Sequence, residues 1–176
     1  MRVALIGLPG SGKSTVGRQL AQRLQLPFLD SDHAIEAQLG CSIREYFERE
    51  GEERFRDVER QVIDELTQRA DGVISTGGGA VLQQSNRSHL NERCKTVYLH
   101  CIPEEIFRRL RHDKKRPLLQ VANPLKKLQQ LYAVRDPLYR AAAHLVIETG
   151  KPPVSSLVNM IVTQLDLGDT PPALSI

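Results

Sequence analysis

Val3-Ala4-Leu5-Ile6-Gly7-Leu8-Pro9-Gly10-Ser11-Gly12-Lys13-Ser14-Thr15 opens the chain with an apolar run that feeds straight into the pattern G-x-x-x-x-G-K-[ST]. A strand leading into this turn, with a helix after it, is the context of a phosphate-binding loop, the P-loop. Glycines let successive backbone N–H groups turn inward on a polyphosphate, and the following helix points its positive end at the same anion. Gly10, Ser11, Gly12, Lys13, Ser14 and Thr15 are therefore the expected nucleotide-binding stretch. Lys13 would bring a mobile cation to the outer phosphates and should stand exposed in the cleft, and Ser14 offers a hydroxyl to Mg²⁺. A glycine-rich turn that binds nothing has no need of the Gly-Lys-Ser-Thr ending.

Working outward, β-rich runs recur at 2–6, 27–29, 73–76, 96–99 and 145–148, with helical patterns between them. That alternation predicts an α/β fold, a parallel sheet with helices on both faces. The helix after the P-loop should reach about Leu24, with Val16, Leu20 and Leu24 facing inward. Ser42-Ile43-Arg44-Glu45 reads as a capping box. Phe55, Val58, Val62 and Leu66 keep helical spacing across 52–68, and Pro103 suits the first turn of a helix ending near Arg111. Residues 112–123 are charged and aperiodic, a loop, before Pro124 restarts a helix. Gly168 to Ile176 carries turn formers and no period, so residues 166–176 read as a tail on a single domain of 1–165.

Length and composition narrow the classes. A chain of 176 residues suits one domain burying roughly 70% of its unfolded surface. Its 24 basic and 21 acidic residues nearly balance, which argues against dedicated nucleic-acid binding. Cys41, Cys94 and Cys101 are odd in number and lack C-x-x-C spacing, so a reducing, cytoplasmic setting is expected. No window has the length of a membrane span.

In open parallel sheets, ligands bind outside the carboxyl ends of the strands. Polar segments fall at those ends: the P-loop, Asp30 and Asp32, Gly77-Gly78-Gly79, and Thr149 to Pro152. A metal anchor beyond Ser14 is expected from Asp30, with Glu148 the rival. Asp32 is either a helix N-cap or a carboxylate that orients or deprotonates an attacking hydroxyl. Arg56 lies about 100° round its helix from Phe55 and can leave the core. Arg56 and Arg135 aimed at one cleft would suit a carboxylate, although a surface ion pair is the commoner fate of a lone arginine. The glycine run is a plain turn, or bare backbone against which a small molecule lies. Arg116 sits in the charged loop, either a lid that closes over the transferring phosphate or a solvated charge run. Arg109 could stack on adenine or pair with Glu105.

Taken together, 7–15, Phe28 to Asp32, Gly51 to Arg56, Gly77 to Gly79, Arg116 to Leu119 and Arg135 to Tyr139 resemble the shikimate kinases over 1–165. The resemblance implies a P-loop NTPase fold with a five-stranded parallel sheet in order 2-3-1-4-5 and a mobile lid at about 112–123. It implies ATP-dependent phosphorylation of the 3-hydroxyl of shikimate, in aromatic amino acid biosynthesis, with Mg²⁺ as cofactor. By position, Asp32 would hold shikimate's hydroxyls, Arg56 and Arg135 its carboxylate, and Gly78 or Gly79 its ring side. Lys13 and Arg116 would stabilise the phosphoryl charge, Ser14 and Asp30 would serve Mg²⁺, and Arg109 and Pro152 would flank adenine. ATP and shikimate are the expected partners, without nucleic acid or membrane, and the chain is expected to be monomeric. The rival readings are a gluconate or nucleoside monophosphate kinase on this scaffold, or a non-catalytic ATP-binding module.

Overall fold

Alternation along the first strand divides the core in two. In the computed structural model, which describes residues 1–69, 71–111 and 121–168, Val3 and Leu5 of β1 (Arg2–Ile6) face one side of the sheet while Ala4 and Ile6 face the other. The first side is closed by Val16 and Leu20 of α1 (Lys13–Leu24) and by Leu157, Ile161 and Leu165 of α8 (Val154–Gly168). The second is closed by α2 (Ser31–Leu39), α4 (Glu52–Gln68), α5 (Gln84–Arg93), α6 (Pro103–Leu110) and α7 (Pro124–Ala142). Between them lie β2 (Phe28–Asp30), β3 (Gly72–Ser75), β4 (Lys95–His100) and β5 (Leu145–Glu148). The five strands are parallel in order β2-β3-β1-β4-β5. The central strands β1, β3 and β4 are buried on both faces, so an apolar run rather than strict alternation with polar residues marks them in the sequence, whereas the edge strands β2 and β5 are only partly covered.

The observed strands agree with the sequence reading to within a residue or so at each end. Ser42 caps α3 (Ile43–Glu50) as its spacing predicts, its Oγ accepting from Glu45 N at 3.1 Å. The cap of α2 decides between the two readings of Asp32, against capping. The helix starts at Ser31, and Asp30 is the N-cap, its Oδ1 accepting from Asp32 N and His33 N. Asp32 therefore lies within the first turn, and its side chain is spared the capping duty.

The stripe of α4 is also rotated from the one read in the sequence. Phe55, Glu59, Val62, Ile63 and Leu66 are buried, whereas Val58 is only half-buried. An acid occupies the inner face of this helix, one turn from Phe55. At the far end of the chain, α8 continues to Gly168, so 166–168 of the expected tail are helical. Residues 112–120, most of the expected lid, and 169–176 lie outside the described residues.

Candidate active site

Ligand space opens where the chain leaves β1 and β3 toward opposite faces of the sheet. From β1 it enters α1 on the α8 side, and from β3 it turns through a 3-10 turn (Ala80–Leu82) to α5 on the other side. A cleft of about 260 Å³ lies there, lined by the P-loop, Asp30, Asp32 and residues 75–78. This is the switch point at which open parallel sheets bind ligands.

The P-loop has its expected backbone. Gly10 and Gly12 take φ of 82° and 94°, a region that side chains disfavour. A Cβ on Gly10 would fall 2.5 Å from Leu110 Cδ1, so the loop is pressed onto α6. Lys13 corrects the expectation of an exposed cation. It is 8% exposed, and its Nζ donates to Gly7 O at 2.8 Å and Leu8 O at 2.9 Å. Its stem folds back over the loop, and a buried ammonium must find acceptors.

Asp30 divides its carboxylate between two tasks. Oδ1 caps α2, and Oδ2 faces Ser14 Oγ at 3.5 Å. Two hard oxygens on the rim of the phosphate cradle fit Mg²⁺, which takes one or two protein oxygens and completes its shell with phosphate and water. Among the described residues no group of three or more His, Cys, Asp or Glu gathers into a metal cage. Glu148, the rival anchor, is instead bonded to His100 Nδ1 at 2.7 Å on the edge strand.

The glycine run brings together the side chains expected to bind the acceptor. A Cβ on Gly77 would lie 2.7 Å from Asp32 Oδ1, one on Gly78 would lie 3.3 Å from Arg135 Nη1, and one on Gly79 would lie 2.5 Å from Arg56 Nη2. Asp32, Arg56 and Arg135, from α2, α4 and α7, thus close around three consecutive bare backbone units. At Gly77 and Gly79 a side chain would collide with Asp32 and Arg56, and at Gly78 its nearest clash, at 2.8 Å, would be with Pro9 of the P-loop.

Two members of this cluster escaped the sequence reading. Glu59, 1% exposed, accepts from Arg56 Nη1 at 2.8 Å, and it lies on the Gly77 side. Arg56 is thus in an ion pair, but a largely buried one, with its Nε a buried donor left without a partner. The available signal was an acid three residues after Arg56, in register with the apolar stripe of α4. Tyr139 is fully buried, and its hydroxyl donates to Gly78 O at 2.6 Å. Its only signal was a tyrosine at the end of the Arg135–Tyr139 segment.

The electrostatics follow from this crowding. Burial is the main reason the Asp32 carboxyl is held above the ordinary carboxylate range, with Asp30 adding to it and Lys13 opposing. Glu59 is likewise raised, chiefly by burial, against the pull of Arg56. Burial pushes the Tyr139 hydroxyl up to about 12, with Arg135 opposing, so it stays a donor at neutral pH.

Beside the P-loop, a second cavity of about 300 Å³ is lined by Cys101, Ile102, Glu105, Glu148, Gly150, Lys151 and Pro152. Arg109 reaches this edge, its Nη2 donating to Thr149 O. Glu105 pairs with Arg108, not with Arg109. Arg116 lies outside the described residues.

The family model for shikimate kinase matches residues 9–166. The chain belongs to the shikimate kinase family. A shikimate kinase of Paracidovorax citrulli is 57% identical over 178 residues, spanning 98% of this chain and 97% of that protein. One of Ralstonia nicotianae is 55% identical over 175 residues, spanning 98% and 92%. A solved shikimate kinase from Acinetobacter baumannii, in complex with shikimate, is 45% identical over 97% of this chain and 95% of its own, with a TM-score of 0.91. That of Aquifex aeolicus is 36% identical over 96% and 98%, with a TM-score of 0.81. As a shikimate kinase family member the protein is a P-loop kinase that uses ATP. These matches support the shikimate reading and not the gluconate, nucleotide or non-catalytic alternatives.

Proposed function

We propose that the cleft transfers the γ-phosphoryl group of ATP to the 3-hydroxyl of shikimate, giving shikimate 3-phosphate and ADP. The observation that carries this reading is the convergence of Asp32, Arg56 and Arg135 on the Gly77–Gly79 backbone, beside the P-loop. One acid and two guanidinium groups around bare backbone suit a small carboxylic acid bearing hydroxyls. Arg56 Nε, a buried donor without a partner, is available to the carboxylate. Arg135 supplies the opposing donors, and the Gly78 and Gly79 backbone lies along the ring.

Asp32 holds the attacking hydroxyl and takes its proton, a role suited to a carboxyl whose affinity for protons is raised by burial. Lys13 exchanges the carbonyls of Gly7 and Leu8 for phosphate oxygens and balances the charge that spreads over the transferring group. Mg²⁺, when bound, is held by Ser14 and Asp30 and neutralises phosphate charge. Arg109 and Pro152 flank the adenine at the second cavity, which has room for a base. Arg116 is assigned a share of the charge stabilisation, and 112–123 the closing lid, on the family resemblance alone. Because the transition state is loose, the protein's work is alignment and charge balance.

The same reading makes the protein a cytoplasmic monomer acting on small molecules, and the free thiols Cys41, Cys94 and Cys101 accord with a reducing compartment. The deciding experiment is ADP release with shikimate, gluconate and nucleoside monophosphates offered in turn. Turnover with shikimate alone is expected, and turnover with only one of the others would remove the assignment.

A further inference from the structure

We infer that His100 is a positioning residue that ties the nucleotide edge of the sheet to the helix carrying Arg135. His100 ends β4 and is 7% exposed. Its Nδ1 lies 2.7 Å from Glu148 Oε2 at the end of β5, and its Nε2 lies 2.8 Å from Tyr132 Oη on α7. A carboxylate only accepts, so Nδ1 carries a proton toward Glu148, while Nε2 shares a hydrogen bond with the Tyr132 hydroxyl. One imidazole thereby meets both neighbours, with Asp136 Oδ1 also 3.9 Å from Nε2. Its backbone carbonyl also accepts from Thr149 N at 3.0 Å and Thr149 Oγ1 at 3.1 Å, which fixes the start of the segment leading to Pro152.

On α7, Tyr132, Arg135, Asp136 and Tyr139 stand at i, i+3, i+4 and i+7, hence on one face. Each of the three besides Arg135 is tied down: Tyr132 to His100, Asp136 to the Tyr98 hydroxyl at 2.8 Å, Tyr139 to Gly78 O at 2.6 Å. The rings of Tyr98, His100, Tyr132 and Tyr139 form a continuous run behind the site, with centroid separations of 4.9 to 5.7 Å.

The helix needs this support because Pro137 lies inside it. Proline has no N–H for the carbonyl of Ala133, so the turn bearing Arg135 loses a backbone tie. Side-chain bonds on either side of that break then set where the guanidinium points. The Tyr132–His100 bond is the tie on the N-terminal side, and through Glu148 the same ring also steadies the wall of the adenine cavity.

The inference rests on the proposed role of Arg135 and is tested by steady-state kinetics on Tyr132→Phe, His100→Leu, His100→Gln and the Tyr132→Phe/His100→Leu double variant. Tyr132→Phe should raise KM for shikimate about three- to tenfold, the worth of one hydrogen bond, with kcat within about twofold. His100→Leu should do the same and raise KM for ATP as well. The double variant should be no worse than His100→Leu, since both remove one bond. His100→Gln, whose amide can donate to Glu148, should recover KM for ATP.

Unchanged KM for shikimate in Tyr132→Phe, or additive losses in the double variant, overturns the inference. So does an equal KM rise in Ile161→Val, a core change on the opposite face of the sheet, at a matched loss of melting temperature. If Tyr132→Phe behaves as expected, failure of His100→Leu to fold leaves the Tyr132–His100 tie supported. Wild-type protein that does not phosphorylate shikimate removes the functional reading and this one together. Normal wild-type turnover with unresponsive variants removes only this one.

Discussion

Adding one methyl group at Gly79 should push Arg56 out of the acceptor site. The backbone there has φ of −94° and ψ of 2°, which alanine adopts without strain, so the whole effect is steric. The new Cβ would lie 2.5 Å from Arg56 Nη2 and 2.7 Å from Cζ, where ordinary contact is about 3.5 Å. The guanidinium must withdraw by about 1 Å, straining the 2.8 Å bond from Nη1 to the buried Glu59. Loss of a charge-assisted bond to the substrate carboxylate is worth about 1.5–3 kcal/mol, so KM for shikimate should rise about ten- to a hundredfold. Overpacking of about 1–3 kcal/mol should lower the melting temperature by roughly 2–12 °C in a chain of this size. Steady-state ADP release and thermal melts of Gly79→Ala measure both. In an Arg56→Ala background the methyl's three nearest contacts are gone, and KM should change by less than about twofold. A folded Gly79→Ala enzyme with wild-type KM, or the same loss with and without Arg56, would refute the placement of Arg56 against the substrate.

Lys13→Ala should abolish turnover and, because Nζ bonds Gly7 O and Leu8 O in a buried setting, should also lower stability by about 1–3 kcal/mol; a calorimetric melt beside the ADP assay reads both. Glu36 helps raise the Asp32 carboxyl. A general base must be deprotonated to act, so the acid limb of kcat/KM should lie above the ordinary carboxylate range. Glu36→Gln should move that limb to lower pH, and an unmoved limb would detach it from Asp32. Tyr139→Phe leaves the Gly78 carbonyl without its 2.6 Å donor and should lower the melting temperature by about 2–4 °C per kcal/mol lost while raising KM for shikimate severalfold. Asp30→Ala removes both the cap of α2 and the partner of Ser14, so stability should fall by about 1 kcal/mol and the Mg²⁺ concentration for half-maximal rate should rise; an unchanged Mg²⁺ response would leave Asp30 a cap only.

The P-loop was legible because its chemistry is written in consecutive residues: Gly10, Gly12, Lys13 and Ser14 need one another at fixed spacing and nothing from the rest of the chain. Strand ends were legible for a related reason, since apolar runs bounded by Gly, Asp and Thr repeat with the period of the backbone. Even there, the sequence left Asp32 open as a helix cap or a hydroxyl-binding carboxylate, and the structure gives the cap to Asp30. Both are aspartates two residues apart, and only the backbone hydrogen bonds distinguish them.

Glu59 shows where the sequence reading stopped. On paper it is one of several acids on a charged amphipathic helix, and solvent is the default for such a residue. In the fold it is buried because α4 packs with that face against the glycine run, where Arg56 compensates its charge. His100, Tyr132 and Tyr139 are similar cases, each an ordinary polar or aromatic residue whose partner lies 32 to 61 positions away. Local pattern was therefore sufficient for the class of fold and the phosphate cradle, while the acceptor residues were named by family resemblance, not by spacing. Which of those residues meet, which carboxyl is relieved of capping, and what braces Arg135 depended on parallel strand pairing and helix packing, because contacts between distant segments arise from the shape of the assembled core and leave no periodic trace in the chain.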